Sequence, residues 1–168
     1  MVINIKIIGW KWSEETANML IKSISGYFAF KRTIYPSSYV KIDQMPILDM
    51  GKPEEFDYFL VLDPSEAELE DYKSMKEDGI VIVNTADKKM SSGINNIVNK
   101  LKAKIIIVDV SGSSIEHTGK FNPSIGILAA FVKKTNLLSL KNLENVIKES
   151  HKSDGSLAVA EEVHKLVK

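Results

Sequence analysis

The sequence predicts an α/β domain, a doubly wound and mainly parallel sheet with helices on both faces and a helical C-terminal tail. Three observations carry that prediction. Four short β-branched runs, at residues 2–8, 58–62, 79–84 and 104–110, lack the strict alternation of a one-sided strand and suit a sheet covered on both faces. Segments with helical spacing lie between them, which requires right-handed crossovers between parallel neighbours. After residue 122 the pattern is helical throughout.

The first run, "VINIKII", leads through Gly9 into a helix that Ser13 can cap and that extends to about Tyr27. Glu14 and Glu15 then fall in its first turn, beside the positive end of the dipole, and Ala17, Leu20, Ile21 and Ile24 repeat at helical spacing. Residues 28–56 are broken by Pro36, Pro46, Gly51 and Pro53, so "YVKID" and "PILDM" read as edge strands or loop. "YFLVL" (58–62) is followed by "DPSEAELEDYKSM", with Asp63 placed to cap, Pro64 at the first helical position and Glu66 at the third. This is the strongest helix start in the chain. "GIVIVN" (79–84) and "KIIIVDV" (104–110) flank "SSGINNIVNKLKA", in which Ile94, Ile97, Val98 and Leu101 share a helical face. The tail comprises "PSIGILAAFVKKTN", "SLKNLENVIKES" and "SLAVAEEVHKLVK", the first apolar nearly all round and therefore expected to be buried.

A chain of 168 residues buries enough surface to fold as one unit, and residues 1–168 read as a single domain. Lys plus Arg and Asp plus Glu both number 22, so no net charge draws nucleic acid or anionic lipid. Without cysteine the chain can form neither a disulfide nor a thiolate-held cluster or zinc site, and any redox centre belongs to another polypeptide. The apolar run "IGILAAFV" is far too short to span a membrane, and the start "MVINIKIIGW" carries Lys6 and no cleavage site, so a cytoplasmic location is expected.

Candidate site residues are expected at the carboxyl ends of the strands, where open α/β sheets place ligands. A phosphate cradle needs glycines, so that backbone N–H groups can point inward unobstructed. "GWKWSE" offers only Gly9, with Lys11 as a point charge, and Glu14 at the mouth repels anions. An ordinary strand-to-helix turn accounts for the same residues, and Trp10 and Trp12 resemble partner-interface anchors. Asn84, at a strand end, can read a ligand through hydrogen bonds or simply shape a turn. "DVSGSSIEHTG" (109–119) reads as a polar loop whose Ser111 and Ser113 are candidate ligand contacts. Its serines with His117 also raise a hydrolase using Ser113 or Ser114, but no G-x-S-x-G elbow is present. Asp57, Asp63 and Asp109 each border a strand as caps or solvated carboxylates, and His117, His151 and His164 are too scattered for a metal site.

The order of elements resembles the gamma subunit, or gamma domain, of the 2-oxoacid:ferredoxin oxidoreductases, the pyruvate (pyruvate synthase), ketoisovalerate, 2-oxoglutarate and indolepyruvate enzymes. "SIGILAAFVKKTNLLSLKNLENVIKE" (124–149) is similar without gaps to that family's stretch of the type "NTAMLGALAKLTGIVSLESLEEAIKE". "FDYFLVLDP" (56–64) and "GIVIVNT" (79–85) resemble its D-x-x-x-x-L-D-P and G-x-x-x-x-N-S strand ends. The departures are its glycine motifs: G-x-G-G-Q-G corresponds to Gly9 through Glu14 with only Gly9 kept, its Arg-Gly-Gly segment has no counterpart in 28–56, and its tail Asn and Gly correspond to Ser124 and Ala129.

The resemblance implies a gamma-type component of an enzyme that decarboxylates a 2-oxoacid, passes electrons to ferredoxin and forms an acyl-CoA. Thiamine diphosphate, iron–sulfur clusters and coenzyme A would then sit on partner subunits: the catalytic alpha and beta types and a ferredoxin-like subunit. The chain alone would not catalyse. A free-standing α/β binding module that kept the fold and lost the ligand contacts is the alternative.

Overall fold

The structure, a computed structural model, describes residues 2–150 and 154–168. The chain runs β1 (Ile3–Ile8), α1 (Trp10–Ser23), β2 (Phe28–Ile34), β3 (Ser37–Asp43), β4 (Phe56–Val61), a 3₁₀ turn (Pro64–Glu66) and α2 (Leu69–Lys73). It continues with β5 (Met75–Asn84), α3 (Ser92–Lys100), β6 (Lys104–Val108), α4 (Val110–Thr118), α5 (Pro123–Lys134), α6 (Leu140–Ser150) and α7 (Asp154–Leu166). The sheet order is β2-β3-β1-β4-β5-β6. β1, β4, β5 and β6 are parallel, as the four β-branched runs predict, and β3 pairs antiparallel with both β1 and β2.

The antiparallel hairpin from residues 28–43 is the main addition to the expected sheet. "YVKID" lies within β3, whereas "PILDM" is not a strand. Pro36 sits at the hairpin tip, outside both ladders, so the one proline near these strands removes no sheet hydrogen bond.

Period-two alternation sorts the strands onto two cores. Ile5, Ile7, Val40, Ile42, Leu60 and Ile82 face the layer of α1, α5, α6 and α7. Ile8, Tyr39, Phe59, Val61, Val81 and Val83 face α2 and α3, where Tyr72 and Val98 close the second core. Helices thus cover both faces, and every residue of α5 from Pro123 to Val132 is buried.

Three helix expectations are corrected. α1 begins at Trp10 with Gly9 as its cap, not Ser13, and ends at Ser23; Ser13 is instead a buried residue that accepts a hydrogen bond from Ser38 Oγ at 3.3 Å. Glu14 therefore lies beyond the first turn, where Lys31 Nζ (3.0 Å) and the Tyr35 hydroxyl (3.1 Å) donate to it.

The helix expected from Asp63 is split. Asp63 accepts from Ser65 N at 2.9 Å and from Ser65 Oγ at 2.6 Å, closing only a 3₁₀ turn. Glu66 does not complete that start, because its carboxylate accepts a hydrogen bond from Trp10 N of α1. The helix begins again at α2 with its own capping box of Glu68 and Asp71.

Residues 109–119 are not a polar loop. Asp109 accepts from Gly112 N at 2.7 Å, Gly119 ends the helix in the left-handed conformation (φ 67°), and α4 forms between these two caps despite its serines.

Candidate functional site

Four carboxyl ends of parallel strands line one edge of the sheet: Gly9 after β1, Leu62 and Asp63 after β4, Asn84 closing β5, and Asp109 after β6. Gly9 has φ 147°, and a Cβ there would lie 2.8 Å from Leu62 Cβ, so the turns after β1 and β4 are pressed together and only glycine fits. Leu62 N donates to Ile8 O at 2.8 Å and Gly9 N to Pro36 O at 3.2 Å, which binds the hairpin tip into the same edge.

The helices that directly follow Gly9 and Asp109, α1 and α4, both have their N-termini capped by the chain's own oxygens. At α1, Trp12 N and Ser13 N donate to Gly9 O at 3.0 and 2.7 Å, while Trp10 N donates to Glu66 Oε2. At α4, Asn84 Oδ1 accepts from Val110 N and Ser111 N, both at 3.0 Å. The Asn84 amide also donates to Leu62 O at 2.9 Å and to Ser111 Oγ at 2.8 Å. Asn84 is buried, so the hydrogen-bonding groups expected to read a ligand tie β4, β5 and α4 together.

Lys11 Nζ stands 5.0 Å from the Trp12 ring centroid, a cation over an aromatic face. The two tryptophans part company. Trp12 packs against the main core and meets Phe121 edge-on at 5.9 Å, whereas Trp10 remains 63% exposed with its ring 6.0 Å from Tyr35. An open groove of about 590 Å³ runs from this pair along α1, past Lys11, Glu14 and Lys22. Within it, the hydrogen bond from Lys31, followed by that from Tyr35, holds the Glu14 carboxyl below its usual range, and the same contact raises the Tyr35 phenol.

Ser113 lies away from the strand ends and is not joined to the other candidates. Its hydroxyl donates to Glu162 Oε2 of α7, and His117 Nε2 lies 2.9 Å from the same oxygen. A serine nucleophile needs its hydroxyl on the histidine, with the acid behind it. Here the acid stands between them, and the trio joins α4 to α7. Ser114 is also engaged, donating to Lys120 O at 2.8 Å.

Asp57 accepts from Lys76 Nζ at 2.9 Å and from Asn4 N at 2.7 Å. His151 lies outside the described residues. No group of three metal-capable side chains occurs among the described residues.

Sequence reasoning missed Glu66 and Glu162. Glu66 was legible only as a cap for its own helix. Glu162 had a signal, since Ser113 and His117 are four apart and share a face once residues 110–118 are read as a helix.

The sequence matches the family described as pyruvate ferredoxin/flavodoxin oxidoreductase over residues 17–168. The chain belongs to the pyruvate ferredoxin/flavodoxin oxidoreductase family. Within that family it is 34% identical over 129 residues to the pyruvate/ketoisovalerate oxidoreductases common subunit gamma of Pyrococcus abyssi, covering 74% of this chain and 67% of that one. It is 30% identical over 126 residues to pyruvate synthase subunit PorC of Methanothermobacter marburgensis, with 74% and 66% covered.

The family fold is also seen in solved structures. Pyruvate oxidoreductase subunit PORC of Thermotoga maritima superposes with a TM-score of 0.77 at 18% identity, covering 98% of this chain and 96% of that one. A 2-oxoglutarate:ferredoxin oxidoreductase of Magnetococcus marinus superposes with a TM-score of 0.72 at 14% identity, over 98% of this chain but only 30% of that one. The same fold is therefore one part of a longer polypeptide there. No helix among the described residues is long and apolar enough to cross a membrane.

Proposed function

We infer that the chain serves as the gamma-type subunit of a 2-oxoacid:ferredoxin oxidoreductase, the enzyme class that oxidatively decarboxylates a 2-oxoacid to an acyl-CoA. The observation that carries this reading is the 34% identity to a curated gamma subunit over 129 residues. In this proposal the alpha- and beta-type subunits and a ferredoxin-like subunit are its partners in the cytoplasm, and they hold the thiamine diphosphate, the clusters and the coenzyme A. The residues of this chain agree with that division. It has no cysteine for a cluster, and the N-termini of α1 and α4 are already engaged by Glu66 and Asn84.

Its role is assembly. Trp10, exposed beside Tyr35 at the strand-end edge, supplies the kind of rigid aromatic area that anchors interfaces, whereas Trp12 packs on the core and Phe121. The lost glycines suggest a free-standing module, and the identity to a curated gamma subunit favours the subunit reading over it.

The test is co-expression with the thiamine diphosphate-binding and ferredoxin-like chains encoded beside it. The native chain should co-purify with them, and Trp10→Ala should weaken recovery more than Trp12→Ala does at matched folding. Equal recovery of all three forms would reject the anchor. Failure of the native chain to recover any thiamine diphosphate-binding partner would reject the subunit reading.

A further inference from the structure

We propose that the cavity between the end of α4 and the first turns of α5 and α7 is a binding site for a small carboxylate that carries a short aliphatic chain. The cavity encloses about 200 Å³. Ser114 and Thr118 of α4, Lys120 and Asn122 of the α4–α5 connection, and Ser156 of α7 form its polar wall. Ile125 of α5 and Val159 of α7 form its apolar wall, and both are buried.

Ser156 is the residue that points to a ligand. It is 6% exposed, it lines the cavity, and its hydroxyl has no hydrogen-bond partner among the described residues. A hydroxyl taken this far from bulk water and left unpaired costs free energy, which a ligand oxygen in the cavity would recover. Its position is fixed by the preceding residue. Gly155 brings the start of α7 so close to the end of α4 that a Cβ there would lie 2.3 Å from His117 O.

The remaining polar groups set the charge of the ligand, because the acceptors among them are already satisfied. Lys120 O accepts from Ser114 Oγ at 2.8 Å, and Ser114 O accepts from Thr118 Oγ1 at 2.7 Å. Ser114 Oγ accepts from Asn122 N at 3.0 Å, and Asn122 Oδ1 accepts from Ser124 N at 3.0 Å. The spare capacity consists of donors. The Asn122 amide gives one hydrogen to Glu15 Oε1 at 3.3 Å, a residue outside the cavity lining, and keeps the other. No ion pair among the described residues takes up the Lys120 ammonium. Donors on one side and two branched aliphatic side chains on the other suit a ligand with an anionic head that only accepts and a short apolar tail.

The test uses the full chain and sodium isobutyrate as the probe, with isobutyramide as its neutral isostere and sodium chloride at equal ionic strength as the control. Amide chemical shifts are followed by two-dimensional NMR. Isobutyrate should produce saturable shifts centred on Lys120, Asn122 and Ser156, and isobutyramide should bind at least about tenfold more weakly. Ser156→Ala should weaken isobutyrate about tenfold, as expected for one hydrogen bond to a charged group. Val159→Phe fills the cavity and should abolish the shifts. If that variant does not fold, Ser156→Ala, which removes a single oxygen, carries the test alone. The proposal is overturned by shifts that do not saturate or that scatter over the surface, by equal binding of isobutyramide, or by a Ser156→Ala form that binds as native does.

Discussion

The Lys6 ammonium lies 2.5 Å from an Asp71 carboxylate oxygen, with the rings of Tyr39, Phe56 and Phe59 at 5.9, 5.7 and 5.7 Å. Its side chain is only 6% exposed. A cation removed from water in this way is tolerable because a carboxylate and three aromatic faces replace its hydration. Lys6→Ala should cost about 2–5 kcal/mol in a urea titration, through the lost packing of the stem and the carboxylate left behind. Lys6→Met keeps most of the stem volume and should cost less. Equal losses would place the whole effect on the charge.

Tyr72 stands next to Asp71, and its buried hydroxyl finds no partner among the described residues. Burial first, and the Asp71 charge second, push its phenol up to about 12 from an ordinary 10.0. Tyr72→Phe should be neutral or stabilising by up to about 1 kcal/mol near pH 7, since it removes an unpaired buried group. The folded value is the raised one, so the stability owed to the neutral phenol is complete below pH 10 and is lost as pH rises toward 12. Urea melts across that window should show native losing stability relative to Tyr72→Phe. Parallel curves would contradict the burial of the hydroxyl.

Gly126 sets how closely α5 approaches α4, because a Cβ there would lie 2.3 Å from Val110 Cγ1. Alanine is the better helix former by about 1 kcal/mol, but overpacking in a filled core costs about 1–3 kcal/mol. Gly126→Ala should therefore destabilise, and Val110→Ala should relieve it. The double variant should be more stable than the sum of the two single changes requires, and strict additivity would show that the two positions do not touch.

Glu162 accepts from Ser113 and lies 2.9 Å from His117 Nε2. The Ser113 hydrogen bond is the main reason its carboxyl is held below the usual value of 4.5; burial opposes it, and the His117 contact adds to the lowering. A depressed folded value means that the ionised group contributes above the unfolded value and that the contribution fades as pH falls through the folded one. The melting difference between native and Glu162→Gln should shrink as pH falls below 4.5. A difference that grows as pH falls below 4.5 would reverse the sign of this argument.

Much of the fold could be read from the sequence because the parallel strands are buried on both faces. "YFLVL" and "GIVIV" are apolar for that reason, and the pattern survives without any knowledge of partners. β2 was illegible: "FAFKRTI" is an edge strand with exposed Phe28 and Ile34, and its register depends on β3, not on its own composition. α4 was hidden because serine and glycine favour loops, while the contacts that hold it helical come from Asn84 and Gly119.

The site residues divide in the same way. The tryptophans stood out as interface candidates in the sequence, and the structure leaves Trp10 exposed, but Glu66 and Glu162 act on helices 56 and 49 residues away, where no local pattern reaches.

A carboxylate tethered to the same backbone cannot be diluted. Its effective concentration at Trp10 N is set by the Asp63–Glu66 turn and not by any pool of small molecules in the surrounding solution. A surface that docks on the edge carrying Trp10 and Tyr35 therefore meets a carboxylate that the chain itself supplies.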